Sequence, residues 1–218
     1  MVYIMKTERE FLDELVVRHP RVKNLIPAIE AAIDAMYQSY LNGGTMLFCG
    51  NGGSAADSEH IVGELMKGFV LPRPITSDLK HKLEDLFPSD SEYLSKYLQR
   101  GMPAISLVSQ TALSTAFSND NAPDLVFAQQ VLGYGKKGDI FFGITTSGNS
   151  KNVVYAAEVA KALGLTVIGL TGESGGKMKD ISDILINVPE KETFKVQELH
   201  LPIYHIICLC LENRIFGE

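Results

Sequence analysis

The sequence predicts an α/β fold, a doubly wound, flavodoxin-like parallel sheet of five strands flanked by helices. Short apolar runs alternate along the 218 residues with longer segments whose apolar positions recur at helical spacing. This alternation favours parallel strands joined by right-handed crossovers. In addition, polar loops that follow two of the apolar runs open helices directly, as expected at the carboxyl edge of a parallel sheet.

Two helices are predicted before the first strand, at residues 7–18 and 22–41, with Pro20 between them. They make residues 1–43 a helical N-terminal segment. The second helix is apolar over more of its circumference than packing on one sheet requires. We therefore expect a second protein surface to cover part of it.

The rest of the chain alternates between the two element types. The last helix is expected to continue through Pro202, and a polar break is expected at residues 118–121. Apolar runs predict strands at 45–49, 104–108, 139–144, 166–170 and 184–188, and helical spacing predicts helices at 54–67, 110–117, 124–132, 151–163 and 193–213.

Residues 73–101 differ from this pattern because they are charged and rich in turn residues. They predict a surface insertion with one or two short helices. Two roles stay open for the insertion, a lid over a site and a solvated connector.

Composition and charge limit the classes of function. The chain is 45% apolar and 21% charged, as in a soluble globular protein, and its length predicts a single domain over residues 1–218. A net charge of −6 argues against nucleic-acid binding as the main role.

Residues 1–14 predict neither a signal peptide nor a membrane span, so we expect a cytoplasmic protein. The three cysteines, in apolar segments, predict buried free thiols.

The loop after the first predicted strand has the composition of a phosphate site. Asn51, Gly52 and Gly53 let the backbone approach a ligand closely. Ser54 then begins a helix whose N-terminal N–H groups carry partial positive charge. The alternative is a plain turn in which Ser54 only caps the helix.

A second loop, after the third predicted strand, carries hydroxyl groups around a glycine. Thr145, Thr146, Ser147 and Ser150 precede another helix, with Lys151 directly after them but no cation within the loop. Hydroxyls and backbone N–H groups at a helix N-terminus form a neutral cradle that can hold a phosphomonoester. Ser150 alone would be a helix cap, but two such loops on one sheet edge favour a phosphate ligand.

Titratable side chains concentrate in the helix that follows the first loop. His60 and Glu64 are four residues apart and therefore share one face, and Asp57 precedes His60 by about one turn. The pair could serve proton transfer, or it could be a solvated ion pair. Asp57 could orient His60 or cap the helix.

In the last predicted helix, Gln197, His200 and His205 interrupt an apolar segment. A polar group buried in such a segment needs a partner. A buried histidine is usually structural, but two histidines beside a glutamine make a functional role more plausible.

Four motifs together resemble the sugar isomerase (SIS) domain family. The resemblance covers residues 22–72 and 102–214. Its motifs are Gly-Asn-Gly-Gly-Ser at 50–54, Thr-Ser-Gly-Asn-Ser at 146–150, Leu-Thr-Gly with Gly-Gly-Lys-Met within 170–178, and Gln-Glu-Leu-His at 197–200.

The resemblance implies an aldose–ketose isomerase that acts on a small phosphorylated sugar, with sedoheptulose 7-phosphate as the expected substrate. It implies that Glu64 is the general base and His205 the acid, acting through an enediol intermediate. It also implies a zinc ion held by His60, Glu64, Gln197 and His205, a donor set that zinc accepts. The implied substrate contacts are Asn51, Gly52, Gly53, Ser54, Asp120, Thr145, Thr146, Ser147, Ser150 and Gln197.

The resemblance further implies a homotetramer with active sites at subunit interfaces. Gln197 and His205 are separated by about 12 Å along an ideal helix, so they could only just converge, and a neighbouring subunit could supply a residue. The alternative function is a non-catalytic SIS protein that binds a sugar phosphate or a replication-initiation partner. Because that branch has Asn where this chain has His205, the enzyme is favoured.

The chain departs from the family pattern at several positions. Glu64 is followed by Leu-Met-Lys-Gly at 65–68, where the isomerases usually have Leu-x-Gly-Arg. Phe194 stands where an aspartate is expected, and Thr145 replaces a serine. The insertion at 73–101 is also longer than the usual connection. These positions bear on which sugar is the substrate.

Overall fold

Five parallel strands form one sheet in the computed structural model, which describes residues 6–217. They lie in the order second, first, third, fourth and fifth strand, which confirms the doubly wound, flavodoxin-like topology. Expectations for residues 1–5 and 218 lie outside the described residues. The strands are β1 (Met46–Cys49), β2 (Ala104–Ser106), β3 (Ile140–Thr145), β4 (Thr166–Thr171) and β5 (Ile184–Asn187).

Helices separate the strands throughout the described chain, and none of those in residues 6–217 combines the length and apolarity needed to cross a bilayer. Short 3-10 segments at Pro20–Leu25 and Pro123–Leu125 precede two of them. The α-helices are α1 (Glu8–Arg18), α2 (Ile26–Leu41), α3 (Gly53–Met66), α4 (Ser77–Leu86), α5 (Ser91–Tyr97), α6 (Thr111–Asp120), α7 (Val126–Tyr134), α8 (Lys151–Leu163), α9 (Met178–Ile181) and α10 (Thr193–Phe216).

Some predicted boundaries were wrong. The polar break expected at 118–121 is instead the last turn of α6, because the Asn121 N–H donates to the Phe117 carbonyl at 3.0 Å and closes that turn. Helix α9 was missed because four residues are too few to show helical periodicity. Helix α10 runs past residue 213 to Phe216 and contains Pro202, as expected.

Each face of the sheet supports its own hydrophobic cluster. Side chains alternate along β1, so that Met46 and Phe48 join the cluster with α1, α2 and α10, whereas Leu47 and Cys49 join the cluster with α7 and α8. The sheet is therefore buried on both faces, as its apolar strands predicted. The cysteines Cys49, Cys208 and Cys210 are free and buried, as predicted.

The wide apolar surface of α2 is covered largely by other helices of the same chain. Ile29, Ile33 and Met36 are fully buried, and Tyr40 and Ile26 pack against the same cluster from its edge. Because α10 and α1 contribute to that cluster, they supply much of the cover that was expected from another protein surface. Leu41 remains 56% exposed at the end of the helix.

A buried ion pair joins the end of α3 to α10. Arg73 and Glu212 are fully buried, with Arg73 Nε at 2.8 Å from Glu212 Oε1. Arg73 also donates to the carbonyls of Leu65 at 2.7 Å and Glu64 at 3.0 Å. The Glu212 carboxylate accepts three further hydrogen bonds from the backbone N–H groups of residues 69–71. Every strong polar group around the pair thus has a partner, which buried charge requires.

The insertion at 73–101 forms the two short helices that were predicted, α4 and α5. Helix α4 has no buried residue. Phe87 and Tyr93, at the turn between the helices and the start of α5, are 56% and 69% exposed. Helices α4 and α5 thus form a solvent-facing hairpin, whereas Arg73 at the start of the insertion is fully buried.

Removing the charge of Arg73 is expected to destabilise the fold strongly. Arg73→Met leaves the Glu212 carboxylate buried without its cation, so the free energy of unfolding should fall by about 3–5 kcal/mol. Urea denaturation followed by circular dichroism measures this change.

The matched control for this prediction is Arg9→Met. Arg9 pairs with Asp13 at 3.1 Å, but both side chains are more than half exposed. Its loss should cost less than about 1 kcal/mol. Equal losses of stability in the two variants would contradict the importance assigned to the buried pair.

Candidate active site

The two predicted phosphate loops lie side by side at the carboxyl edge of the sheet. One loop leads from β1 into α3 and the other from β3 into α8, and β1 and β3 are paired neighbours. Asn51 of the first loop and Asn152 in the first turn of α8 exchange two side-chain hydrogen bonds of 2.9 Å. The loops are therefore linked, and a single anion can lie between two helix N-termini.

Glycines shape the first loop. Gly52 is the N-cap of α3 and has φ 56°, a left-handed conformation that suits glycine. A Cβ atom on Gly53 would lie 2.4 Å from the side-chain nitrogen of Gln197. The end of the Gln197 side chain on α10 thus packs directly against Gly53, and a larger residue there would displace it. Ser54 is buried inside the first turn and does not cap the helix, which argues against the simple capping alternative.

Hydroxyl groups line the second loop as predicted. The Thr145 and Ser150 hydroxyls are hydrogen-bonded at 3.0 Å, and the Asn149 N–H donates to Ser147 Oγ at 3.1 Å. Ser150 precedes α8 but makes no side-chain capping bond, and its hydroxyl is bonded within the loop to that of Thr145. Thr146 and Ser147 open into a cavity of about 320 Å³ at this edge.

Glu64 lies between two positively charged or chargeable groups. Its Oε1 atom is 3.3 Å from His60 Nε2, and its Oε2 atom is 3.2 Å from Lys67 Nζ. The Glu64 side chain is only 13% exposed, whereas that of His60 is 43% exposed. The predicted pairing on one face of α3 is present, and it is more than a solvated surface pair because the carboxylate is largely buried.

His205 reaches the same place from α10. Its ring centre is 5.0 Å from that of His60, and its Nε2 atom is buried without a hydrogen-bond partner. Burial lowers the pKa of His205, and the nearby His60 lowers it further, while Glu64 opposes the shift. A neutral imidazole with an unused nitrogen therefore lies beside His60, and it can exchange a proton or bind a cation.

Tyr204 is a site residue that the sequence interpretation missed. Its hydroxyl donates to Asp57 Oδ1 at 3.2 Å and lies 3.1 Å from His60 Nδ1. Burial raises the pKa of the Asp57 carboxyl and, together with that carboxylate, the pKa of the Tyr204 hydroxyl. The adjacent His205 drew attention to the helix, but a tyrosine in an apolar segment is indistinguishable from a core residue by pattern alone.

Two other predicted residues lie apart from His60, Glu64 and His205, which together are called the His60 cluster below. Gln197 packs on Gly53 at the first loop, eight residues before His205 on the same helix. Asp120 is exposed at the end of α6, where its carboxylate accepts a hydrogen bond from Asn119 at 2.9 Å. The described contacts of a single chain leave Asp120 outside the arrangement formed by the loops and the cluster.

The donor atoms at the His60 cluster have the chemistry of a zinc site. Two imidazoles and a carboxylate lie together, and the unpaired Nε2 of His205 is a buried donor without a partner. Within residues 6–217, however, no three His, Cys, Asp or Glu side chains are close enough to hold a metal as they stand. A bound ion would thus require side-chain rotation at Glu64 or His205.

His200 has the structural role that was left open for it. It is fully buried, and its Nε2 atom is 3.3 Å from the Thr171 carbonyl oxygen. Burial lowers its pKa to about 4. It is therefore a neutral histidine that packs α10 against the end of β4.

Comparisons with known proteins agree with this architecture. The family model of the SIS domain matches residues 10–100 and 94–172. Phosphoheptose isomerase from Burkholderia pseudomallei is 37% identical over 196 residues, which are 90% of this chain and 86% of that protein. Phosphoheptose isomerase 2 from Campylobacter jejuni is 39% identical over 210 residues, 95% of this chain and 92% of that one.

A solved structure extends the similarity to three dimensions. The phosphoheptose isomerase from Neisseria gonorrhoeae superposes with a TM-score of 0.72 at 32% sequence identity. The superposition covers 92% of this chain and 94% of that chain. Fold and sequence thus indicate the same relatives over nearly the whole length of the protein.

His200 predicts a loss of stability in acid. The folded protein keeps this imidazole neutral down to about pH 4, whereas the unfolded chain protonates it near its ordinary pKa of 6.5. The unfolded state therefore binds more protons between these values, so stability falls as the pH is lowered through that window, by up to about 3 kcal/mol. His200→Gln should lack this component, and denaturation series against pH for both proteins would test it. Parallel curves would contradict the assignment.

Proposed function

This chain belongs to the SIS domain family, and we propose that it is an aldose–ketose isomerase that converts sedoheptulose 7-phosphate to glycero-manno-heptose 7-phosphate. The observation that carries the proposal is that His60 and Glu64 lie on α3, the helix that begins at the first predicted phosphate loop. The extensive similarity to phosphoheptose isomerases supports the same substrate.

In this proposal, the two loops bind the phosphate group of the sugar. The hydroxyls of Thr146, Ser147 and Ser150 and the N-termini of α3 and α8 surround the phosphate without a cation of their own. Asn51 holds the two loops together through Asn152. The phosphate anchors one end of the sugar, so the carbonyl end extends along α3 toward Glu64.

In this proposal, Glu64 and His205 transfer the protons. Glu64 removes the carbon-bound proton beside the carbonyl, which forms the enediol, and later returns a proton to the neighbouring carbon. His205, neutral because burial lowers its pKa, donates a hydrogen bond to the sugar oxygens and moves a proton between them. The limited exposure of the Glu64 carboxylate keeps bulk water from the base.

We propose that zinc binds at this site through His60, Glu64, Gln197 and His205. When bound, such an ion would polarise the substrate carbonyl and stabilise the enediolate charge. The support is the donor chemistry of the cluster and the unpartnered Nε2 of His205.

A homotetramer in the cytoplasm, with active sites between subunits, completes the proposal. Asp120 and Gln197 lie apart from the His60 cluster in one chain, and a neighbouring chain could bring an equivalent group to each site. A cavity of about 530 Å³ between α1 and α2 offers an open face for such contact.

One departure from the family pattern has a local replacement. The arginine expected after Glu64 is absent, but Lys67 places an ammonium group 3.2 Å from the Glu64 carboxylate. Phe194, at an expected aspartate, is 57% exposed at the start of α10. Lys67 therefore keeps a cation beside the base, which supports retention of the isomerase chemistry.

Replacing Glu64 by Gln is expected to abolish most turnover while leaving sugar-phosphate binding. The amide is isosteric but cannot accept the carbon-bound proton, so kcat should fall by about 10²–10⁴-fold or more. Turnover of sedoheptulose 7-phosphate and of a panel of other ketose phosphates, with and without added zinc, would measure it.

The matched control is Glu158→Gln on the exposed side of α8, which should leave kcat unchanged. Undiminished turnover in Glu64→Gln would remove Glu64 from the mechanism. Sugar-phosphate binding without any turnover in the wild-type protein would instead favour the non-catalytic SIS alternative.

Removing one hydroxyl from the second loop is expected to weaken phosphate binding. Thr146→Val keeps the shape of the side chain but loses one hydrogen bond, so KM should rise about 10-fold with little change in kcat. Thr166→Val, at the first residue of β4 and therefore at the opposite edge of the sheet, is the control and should leave both constants unchanged. A lower kcat at unchanged KM would place Thr146 outside the phosphate site.

A further inference from the structure

Tyr204 and Asp57 form a relay that ends on His60. Asp57 and His60 lie about one turn apart on α3, and Tyr204 approaches both from α10. The Tyr204 ring is 1% exposed, so its hydroxyl is held between the two side chains by packing. Its oxygen is 3.2 Å from Asp57 Oδ1 and 3.1 Å from His60 Nδ1.

The chemistry of a phenol determines which atom donates in each contact. Tyr204 has one hydroxyl hydrogen, and a carboxylate can only accept it. The hydroxyl oxygen then offers a lone pair to His60, so the hydrogen between Tyr204 and His60 comes from Nδ1. A neutral His60 is therefore the tautomer with its proton on Nδ1.

This tautomer leaves a lone pair on His60 Nε2. That nitrogen faces Glu64 Oε1 at 3.3 Å, and two electron-rich atoms so close favour a cation between them, a proton in the metal-free protein or a metal ion in its place. A histidine that binds a metal through one ring nitrogen commonly donates the N–H of the other to an outer group, and this hydrogen bond orients the ring. In this chain the outer group is a tyrosine backed by a carboxylate.

We propose that Tyr204 and Asp57 are positioning residues that hold His60 with Nε2 free to bind zinc. The inference rests on the proposed function, because it assigns the outer contacts of the zinc site proposed there. The relay also joins α3 to α10, the two helices that carry all four proposed zinc ligands. The centre of the Tyr204 ring lies 5.0 Å from that of His205 and 5.5 Å from that of His60, so the tyrosine packs against both histidines.

Tyr204→Phe tests the relay with little effect on packing. The ring stays, but the hydroxyl is lost, so zinc affinity should fall about 10–100-fold in competition with a fluorescent chelator. Asp57→Asn, which keeps the size of the side chain, should weaken zinc binding in the same direction. Tyr155→Phe on α8, on the other face of the sheet, is the control and should bind zinc like the wild-type protein.

The tautomer of His60 provides a second measurement that needs neither zinc nor substrate. In zinc-free protein, ¹⁵N NMR of the imidazole rings should show a proton on His60 Nδ1, and Tyr204→Phe should lower the population of that proton. Unchanged zinc affinity in Tyr204→Phe, or a wild-type His60 whose Nδ1 carries no proton, would overturn the proposal. If the wild-type protein lacks isomerase activity, these measurements still decide the relay separately from the proposed function.

Discussion

The ion pair between Arg73 and Glu212 is buried from solvent, and the two helices that carry the proposed chemistry meet around it. Arg73 binds the carbonyls that end α3, and Glu212 binds the backbone of the turn that follows. An unpaired charge at this depth would be strongly unfavourable, so each partner holds the other in place. The end of α3, where Glu64 lies, thus has one position relative to α10.

The proposed phosphate-binding end and the proposed proton-transfer end of the site are held in place by different interactions. At the sheet edge, strand pairing aligns the two loops, and the end of the Gln197 side chain on α10 packs against Gly53. Farther along α3, side-chain hydrogen bonds and ring packing place His60 and His205 together. Because both ends include residues of α3, this helix fixes the distance between them.

Charged and hydroxyl side chains surround the proposed catalytic residues. Lys67 places a cation beside Glu64 although the expected arginine is absent. Tyr204 adds a hydroxyl where the surrounding helix is apolar, and Asp57 makes that hydroxyl a fixed acceptor for His60. Arg73 is the first residue of the insertion at 73–101, so the buried pair attaches the start of the insertion to α3 and α10.

Local pattern in the sequence determined the five strands, both phosphate loops and the pairing of His60 with Glu64, because strand periodicity, glycine turns and contacts four residues apart depend on neighbours along the chain. Only the tertiary structure decided that Tyr204 bridges Asp57 to His60, that Gln197 packs on the first loop, and that His200 is structural. These contacts join α10 to elements more than a hundred residues away or to the sheet, and their partners follow from how α10 packs. A polar side chain in an apolar helix shows that it needs a partner, but its sequence position does not say which one.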